Sequence, residues 1–88
     1  MKYYDWSDKK NKVLIKERGV SFEEVVLAIE TGRLIDTIRN SKKYAKQMVF
    51  CIQIRNYIYA VPFVEDDKKL FLKTIIPSRK LTKKYLKN

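Results

Sequence analysis

Apolar residues follow two different rhythms along this chain. In the first part they recur at helical spacing, and from about residue 47 to 76 they alternate at strand spacing. A short first helix is predicted to open at Trp6-Ser7-Asp8 and run to about residue 17, with Ser7 as its N-cap and Gly19 as its stop. Its apolar residues Val13 and Leu14 are few, and Lys9, Lys10, Lys12 and Lys16 crowd the rest. The next signal is sharper. Ser21-Phe22-Glu23-Glu24 has the form of a capping box, and Val20 and Val25 occupy the two positions of a hydrophobic staple. Phe22, Val25, Val26 and Ile29 then make one buried stripe at i, i+3, i+4 and i+7. Gly32 stands where a C′ glycine ends the helix near Thr31.

The remainder reads as strands. Residues 34–38 suit a short strand, 40–43 a loop, and 47–54, 57–64 and 70–76 three longer strands. A two-residue loop at Arg55-Asn56 sets Ile54 opposite Tyr57, Ile52 opposite Tyr59 and Phe50 opposite Val61. A second loop at Asp66-Asp67 sets Phe63 opposite Leu70, Val61 opposite Leu72 and Tyr59 opposite Thr74. One face then carries Met48, Phe50, Ile52, Ile54, Tyr57, Tyr59, Val61, Phe63, Leu70 and Leu72, and packs on the second helix. The other face carries Val49, Cys51, Gln53, Ile58, Ala60, Pro62, Phe71, Lys73 and Ile75. It is too apolar to stand bare in water, so a C-terminal helix, a partner protein or both must cover it. Pro77 ends the last strand, and Ser78 caps a terminal helix reaching about residue 86. The expected fold class is α+β: two N-terminal helices packed on an antiparallel sheet of three to four strands, with a short C-terminal helix. At 88 residues, 1–88 form a single domain.

Composition narrows the partners. The chain is 45% hydrophobic and 34% charged with few glycines and prolines, which fits a folded domain. Its net charge of +10 points to nucleic acid, an anionic surface or an acidic protein. That charge is segregated. Residues 68–88 hold eight basic side chains and no acidic one, whereas 19–32 hold Glu23, Glu24 and Glu30 and no base. A solvated tail accounts for part of this. RNA accounts for more of it, because Arg79 and Lys80 sit where a strand gives way to a helix and Tyr85 interleaves with Lys83 and Lys84. Lys16, Arg18 and Arg55 complete the candidate RNA contacts. Lys73 stands on the second face, either as a snorkelling lysine whose stem covers Phe71 and Ile75 or as a cation for a scissile phosphate.

Other chemistry is thin. The chain has no histidine and one cysteine, so a zinc site is not expected, and neither is any cofactor. Cys51 lies in an apolar run and reads as a small buried hydrophobe. Asp66-Asp67 reads as a turn, and Trp6, Tyr3, Tyr4 and Tyr44 as packing residues. No signal-peptide or membrane-spanning pattern is present, so a cytoplasmic protein is expected.

Two stretches together carry a resemblance. Trp6-x-x-Lys9-x-Asn11, followed by Lys16-x-Arg18-Gly19-Val20-Ser21-Phe22-Glu23-Glu24, resembles the N-terminal signature of BrnT-family toxins. Ile75-Ile76-Pro77-Ser78-Arg79-Lys80, with Tyr85 beyond, is similar to that family's C-terminal motif. Arg18 replaces the family's histidine, and 34–48 shows no match. The resemblance implies a RelE-like fold, mRNA cleavage free or on the ribosome, and neutralisation by a small DNA-binding antitoxin in a hetero-oligomer. Metal-free cleavage proceeds by attack of a 2′-hydroxyl on the adjacent phosphate, which needs a base, an acid and charge stabilisation. Arg79 and Lys73 are the candidates for phosphate charge, and Tyr85 or a lysine of lowered pKa for proton transfer. A non-catalytic RNA- or DNA-binding module and a protein that meets only an acidic partner are the competing readings.

Overall fold

The computed structural model describes residues 2–39 and 47–86. The loop expected at 40–43, the packing expected of Tyr44 and the cation Lys87 lie outside them. Among the described residues the order is β1 (Tyr3–Asp5), α1 (Asp8–Arg18), α2 (Phe22–Glu30), β2 (Leu34–Arg39), β3 (Met48–Ile54), β4 (Tyr57–Glu65), β5 (Lys69–Leu72), β6 (Ile76–Pro77) and α3 (Arg79–Tyr85).

The two N-terminal helices form for the reasons legible in their caps. Ser7 Oγ accepts from the Lys10 amide at 3.2 Å, and Gly19, at φ 68°, ends α1 by donating to the Ile15 carbonyl. In α2, Ser21 Oγ accepts from the Glu24 amide at 3.1 Å while Glu24 Oε1 accepts from the Ser21 amide at 3.2 Å. Val20 and Val25 are both fully buried, as a staple requires. At the other end Gly32, at φ 84°, lets the Arg33 amide donate to the Ala28 carbonyl and its own amide to Ile29. The stripe sits slightly rotated from expectation: Phe22, Val25 and Ala28 are buried, and Val26 and Ile29 flank them.

The strands form one mixed sheet in the order β1-β5-β4-β3-β2, with β6 also paired to β4. The expected antiparallel sheet of three to four strands is therefore enlarged. β1 adds a parallel strand along β5, with Tyr4 opposite Leu70. The first hairpin has the expected register, Ile54 opposite Tyr57 through Phe50 opposite Val61. It turns without an Asn-Gly pair because Arg55 itself takes the left-handed conformation, at φ 58°. The second hairpin differs. Asp66 Oδ1 accepts from the amides of Lys68 and Lys69, and the Asp66 amide donates to the Lys69 carbonyl, so the turn closes further along. Phe63 consequently faces Leu72 rather than Leu70, and Glu65 faces Leu70. A slip of two positions leaves each side chain on its predicted face.

Beyond Leu72 that parity breaks. The strand expected over 70–76 is two pieces, since Leu72 opposes Phe63 and Ile76 opposes Ala60, which leaves one residue more on this strand than on β4. The bulge turns Ile75 inward, fully buried in the core, where the unbroken register placed it on the outer face. Pro77, not Thr74, lies opposite Tyr59.

The core lies between α1, α2 and the inner face: Leu14, Val20, Phe22, Val25 and Ala28 meet Phe50, Ile52, Ile54, Val61, Phe63, Leu72 and Ile75. Trp6 stacks on Phe22 with ring centroids 5.6 Å apart, which bears out its packing role. Tyr4 packs at the core margin, while Tyr3 is mainly exposed, contrary to expectation. On the outer face Val49, Cys51 and Ile58 are buried, and α3 packs along β4 there. The C-terminal helix thus supplies cover for the second apolar face. Burial also pushes the Cys51 thiol above its ordinary range, in keeping with an inert core position.

Candidate nucleic-acid interface

α3 is amphipathic at helical period. Leu81, Thr82, Tyr85 and Leu86 are half-buried toward the sheet, and Arg79, Lys80, Lys83 and Lys84 point to solvent. Ser78 starts the helix by accepting from the Leu81 amide at 3.1 Å. Thr82 then fixes it. Its hydroxyl donates to the Ser78 carbonyl at 2.7 Å and accepts from the Ile58 amide at 2.9 Å, tying the helix to β4. Among the described residues no carboxylate pairs with Arg79, Lys80, Lys83 or Lys84. Within those residues this is a row of cations without ion-pair partners, and Lys84 also acts on the Asp36 carboxylate and lies over the Tyr85 ring.

Tyr85 anchors the far end. Its hydroxyl donates to Asp36 Oδ2 on β2 at 2.7 Å. The bond holds the phenol protonated, raising it from 10.0 to about 12, and the same bond holds the Asp36 carboxyl below its ordinary value of 3.8. Such a phenol does not act as a base near neutral pH, and proton transfer by Tyr85 requires this bond to be given up. The linkage has a definite sign. A raised phenol contributes stability that is complete below 10.0 and lost as pH climbs through about 12, whereas Asp36 contributes above 3.8 and loses its share in acid. Tyr85→Phe is expected to flatten the dependence of stability on pH at both ends. It is also expected to remove the most alkaline component of the tyrosinate absorbance titration. An unchanged titration would show that the bond to Asp36 does not form in solution.

The remaining candidates divide. Lys73 is exposed just past β5, its amide bonded to the Pro62 carbonyl at 2.8 Å. Its Nζ lies 5.7 Å from the Phe71 ring centroid, as does Lys69 Nζ, so it covers Phe71. Ile75 is not beside it, because the bulge has turned that residue inward. Lys16 is exposed in the last turn of α1. Arg18, from the same turn, donates to the Ile75 carbonyl, which brings the end of α1 against the segment leading to Arg79. Arg55 is engaged elsewhere: its guanidinium pairs with Glu24 at 3.1 Å and reaches the Gly19 carbonyl at 3.5 Å. It clamps the hairpin to the start of α2.

Three features escaped the sequence. Asp36 and Thr82 are docking groups for α3, and Phe71 is an aromatic surface between two lysines. Only Thr82 has a local signal, a hydroxyl at the i+4 position from the cap. Among the described residues no cluster of His, Cys, Asp and Glu suited to a metal ion occurs, and no helix is long and apolar enough to cross a membrane. No protein-family model matches the chain, and no curated protein matches it either.

Proposed function

We propose that this chain is the ribonuclease toxin of a toxin–antitoxin pair, acting on mRNA in the cytoplasm without a metal and restrained by a cognate antitoxin. The observation that carries the reading is the outward basic row of α3. Its cations are fixed by caps and docking bonds, have no carboxylate partners among the described residues, and are suited to successive phosphates. The two stretches that carry the likeness to BrnT-type toxins meet in the fold, where Arg18, the position that departs from that family, bonds the carbonyl of Ile75. In this reading Arg79 and Lys73 stabilise the phosphorane charge, Lys80, Lys83 and Lys84 track the strand, and a 2′-hydroxyl of the RNA is the nucleophile.

The test is growth and total RNA integrity after induction of the chain alone, beside an Arg79→Ala/Lys80→Ala variant. Growth arrest with mRNA loss, absent in the variant, is expected. In vitro, the variant should lower the slope of log affinity against log salt by about 0.7 for each lost contact to single-stranded RNA. Normal growth and intact RNA at confirmed soluble expression would overturn the toxin reading. A second reading, an RNA- or DNA-binding module without catalysis, is favoured by the engagement of the Tyr85 hydroxyl with Asp36. Steep salt dependence of binding without cleavage would establish it.

A further inference from the structure

A groove of about 420 Å³, lined by no residue of α3, runs between α2 and the end of β3. Leu27, Ala28 and Ile54 provide its apolar lining, and Arg33, Arg55, Gln53, Thr31 and Glu24 its polar one. Leu27 is 60% exposed, on a helix whose neighbouring apolar residues are mostly buried or partly so. Among the described residues no carboxylate pairs with Arg33. Arg55 uses one guanidinium nitrogen for Glu24 and Gly19, and a guanidinium offers five N–H donors in all.

We infer that this groove is a docking site for a segment of a partner protein that presents an apolar side chain flanked by a carboxylate. The apolar group lies against Leu27, Ala28 and Ile54, and the carboxylate takes the fork of Arg33. Charge selects this occupant over RNA. With Glu24 set against Arg55 and Arg33, the lining is only singly positive. A singly positive lining with apolar walls offers a polyanionic backbone few phosphate contacts, while one carboxylate beside an apolar anchor is matched. The inference goes beyond the ribonuclease reading and stands whether or not the chain cleaves RNA, since no residue of α3 lines the groove.

The test is a titration of the isotopically labelled full chain followed by amide chemical shifts. The probe is an acetylated and amidated Gly-Glu-Leu-Leu-Glu-Ala-Leu-Gly peptide, with its glutamine-for-glutamate twin as control. Shifts are expected at Leu27, Ala28, Thr31, Arg33, Gln53 and Ile54. Leu27→Asp and Arg33→Glu, both at exposed positions and checked for native circular dichroism, should each weaken binding about tenfold or more. The twin should bind more weakly than the probe. Absence of shifts in the groove up to about millimolar peptide would overturn the inference. So would shifts confined to Arg79–Tyr85, or equal binding of probe and twin. None of these outcomes alters the RNA experiment, so the two proposals fail separately.

Discussion

Truncating Phe22 to alanine is expected to cost about 3–5 kcal/mol, the range for removing a large aromatic side chain from a closed core. Phe22 is 0% exposed, begins α2, stacks on Trp6 and sits within the central apolar cluster. A domain of this size holds about 4–13 kcal/mol in total, so the variant sits at or near the edge of folding. Urea unfolding followed by circular dichroism should show a steep fall in midpoint with little change in slope. The same truncation at exposed Leu27 should stay within about 0.5 kcal/mol. Comparable losses at the two positions would mean that α2 does not close the core through its Phe22 face.

A second large effect is expected at Asn11, a polar residue only 7% exposed. Its Oδ1 accepts from the Phe22 amide at 2.8 Å, and its Nδ2 donates to Glu23 Oε1 at 2.7 Å. Asn11 thus joins α1 to the first turn of α2 and satisfies an amide that the helix itself leaves unpaired. Asn11→Ala strands that buried amide, at about 1–3 kcal/mol. It also changes the acid limb. The bond from Asn11 is the main reason that the Glu23 carboxyl lies below its ordinary value of 4.5. A depressed carboxyl contributes stability above 4.5 that is lost as pH falls through its lower folded value. In the variant, neutral stability should drop while the further loss on acidification becomes shallower. Unchanged neutral stability would sink this account. The result also bears on the resemblance, because Asn11 belongs to its N-terminal stretch and its place there is explained by packing.

Where local chemistry decides the structure, the sequence was readable. Ser7, Ser21 and Glu24 cap the helices as expected, and the alternation from Met48 to Phe63 set the register of the first hairpin. Where a choice depends on distant partners, it was not. Tyr3-Tyr4-Asp5 has no alternation long enough to mark a strand, and its pairing with Lys69, Leu70 and Phe71 is parallel and remote. The bulge after Leu72 has no glycine to announce it, and the burial of Ile75 followed from it alone. Asp66 is legible as a turn residue through its local hydrogen bonding, yet the position at which that turn closes depends on which amides it captures.

The candidate interface was legible in kind and less so in arrangement. Segregated charge and the Ser78 cap mark the basic helix in the sequence itself. What charge alone could not show is which cations already have work in the fold. Arg55 and Arg18 look like Lys80 on paper, but one clamps Glu24 and the other a backbone carbonyl. Tyr85 faces Asp36 from across the sheet, a partner that no spacing rule connects with it.

The parallel pairing of β1 with β5 also has a consequence for how the molecule is made. Synthesis delivers Tyr3–Asp5 well before Lys69–Leu72, so strand β1 waits, unpartnered, while the helices and the strands between them are assembled. The local elements, α1, α2 and the hairpin of β3 and β4, can form in the meantime because their contacts are short in sequence. Closure of this edge is therefore a late event in the life of each newly made chain. Until it happens, one side of β5 presents open backbone donors and acceptors to its surroundings.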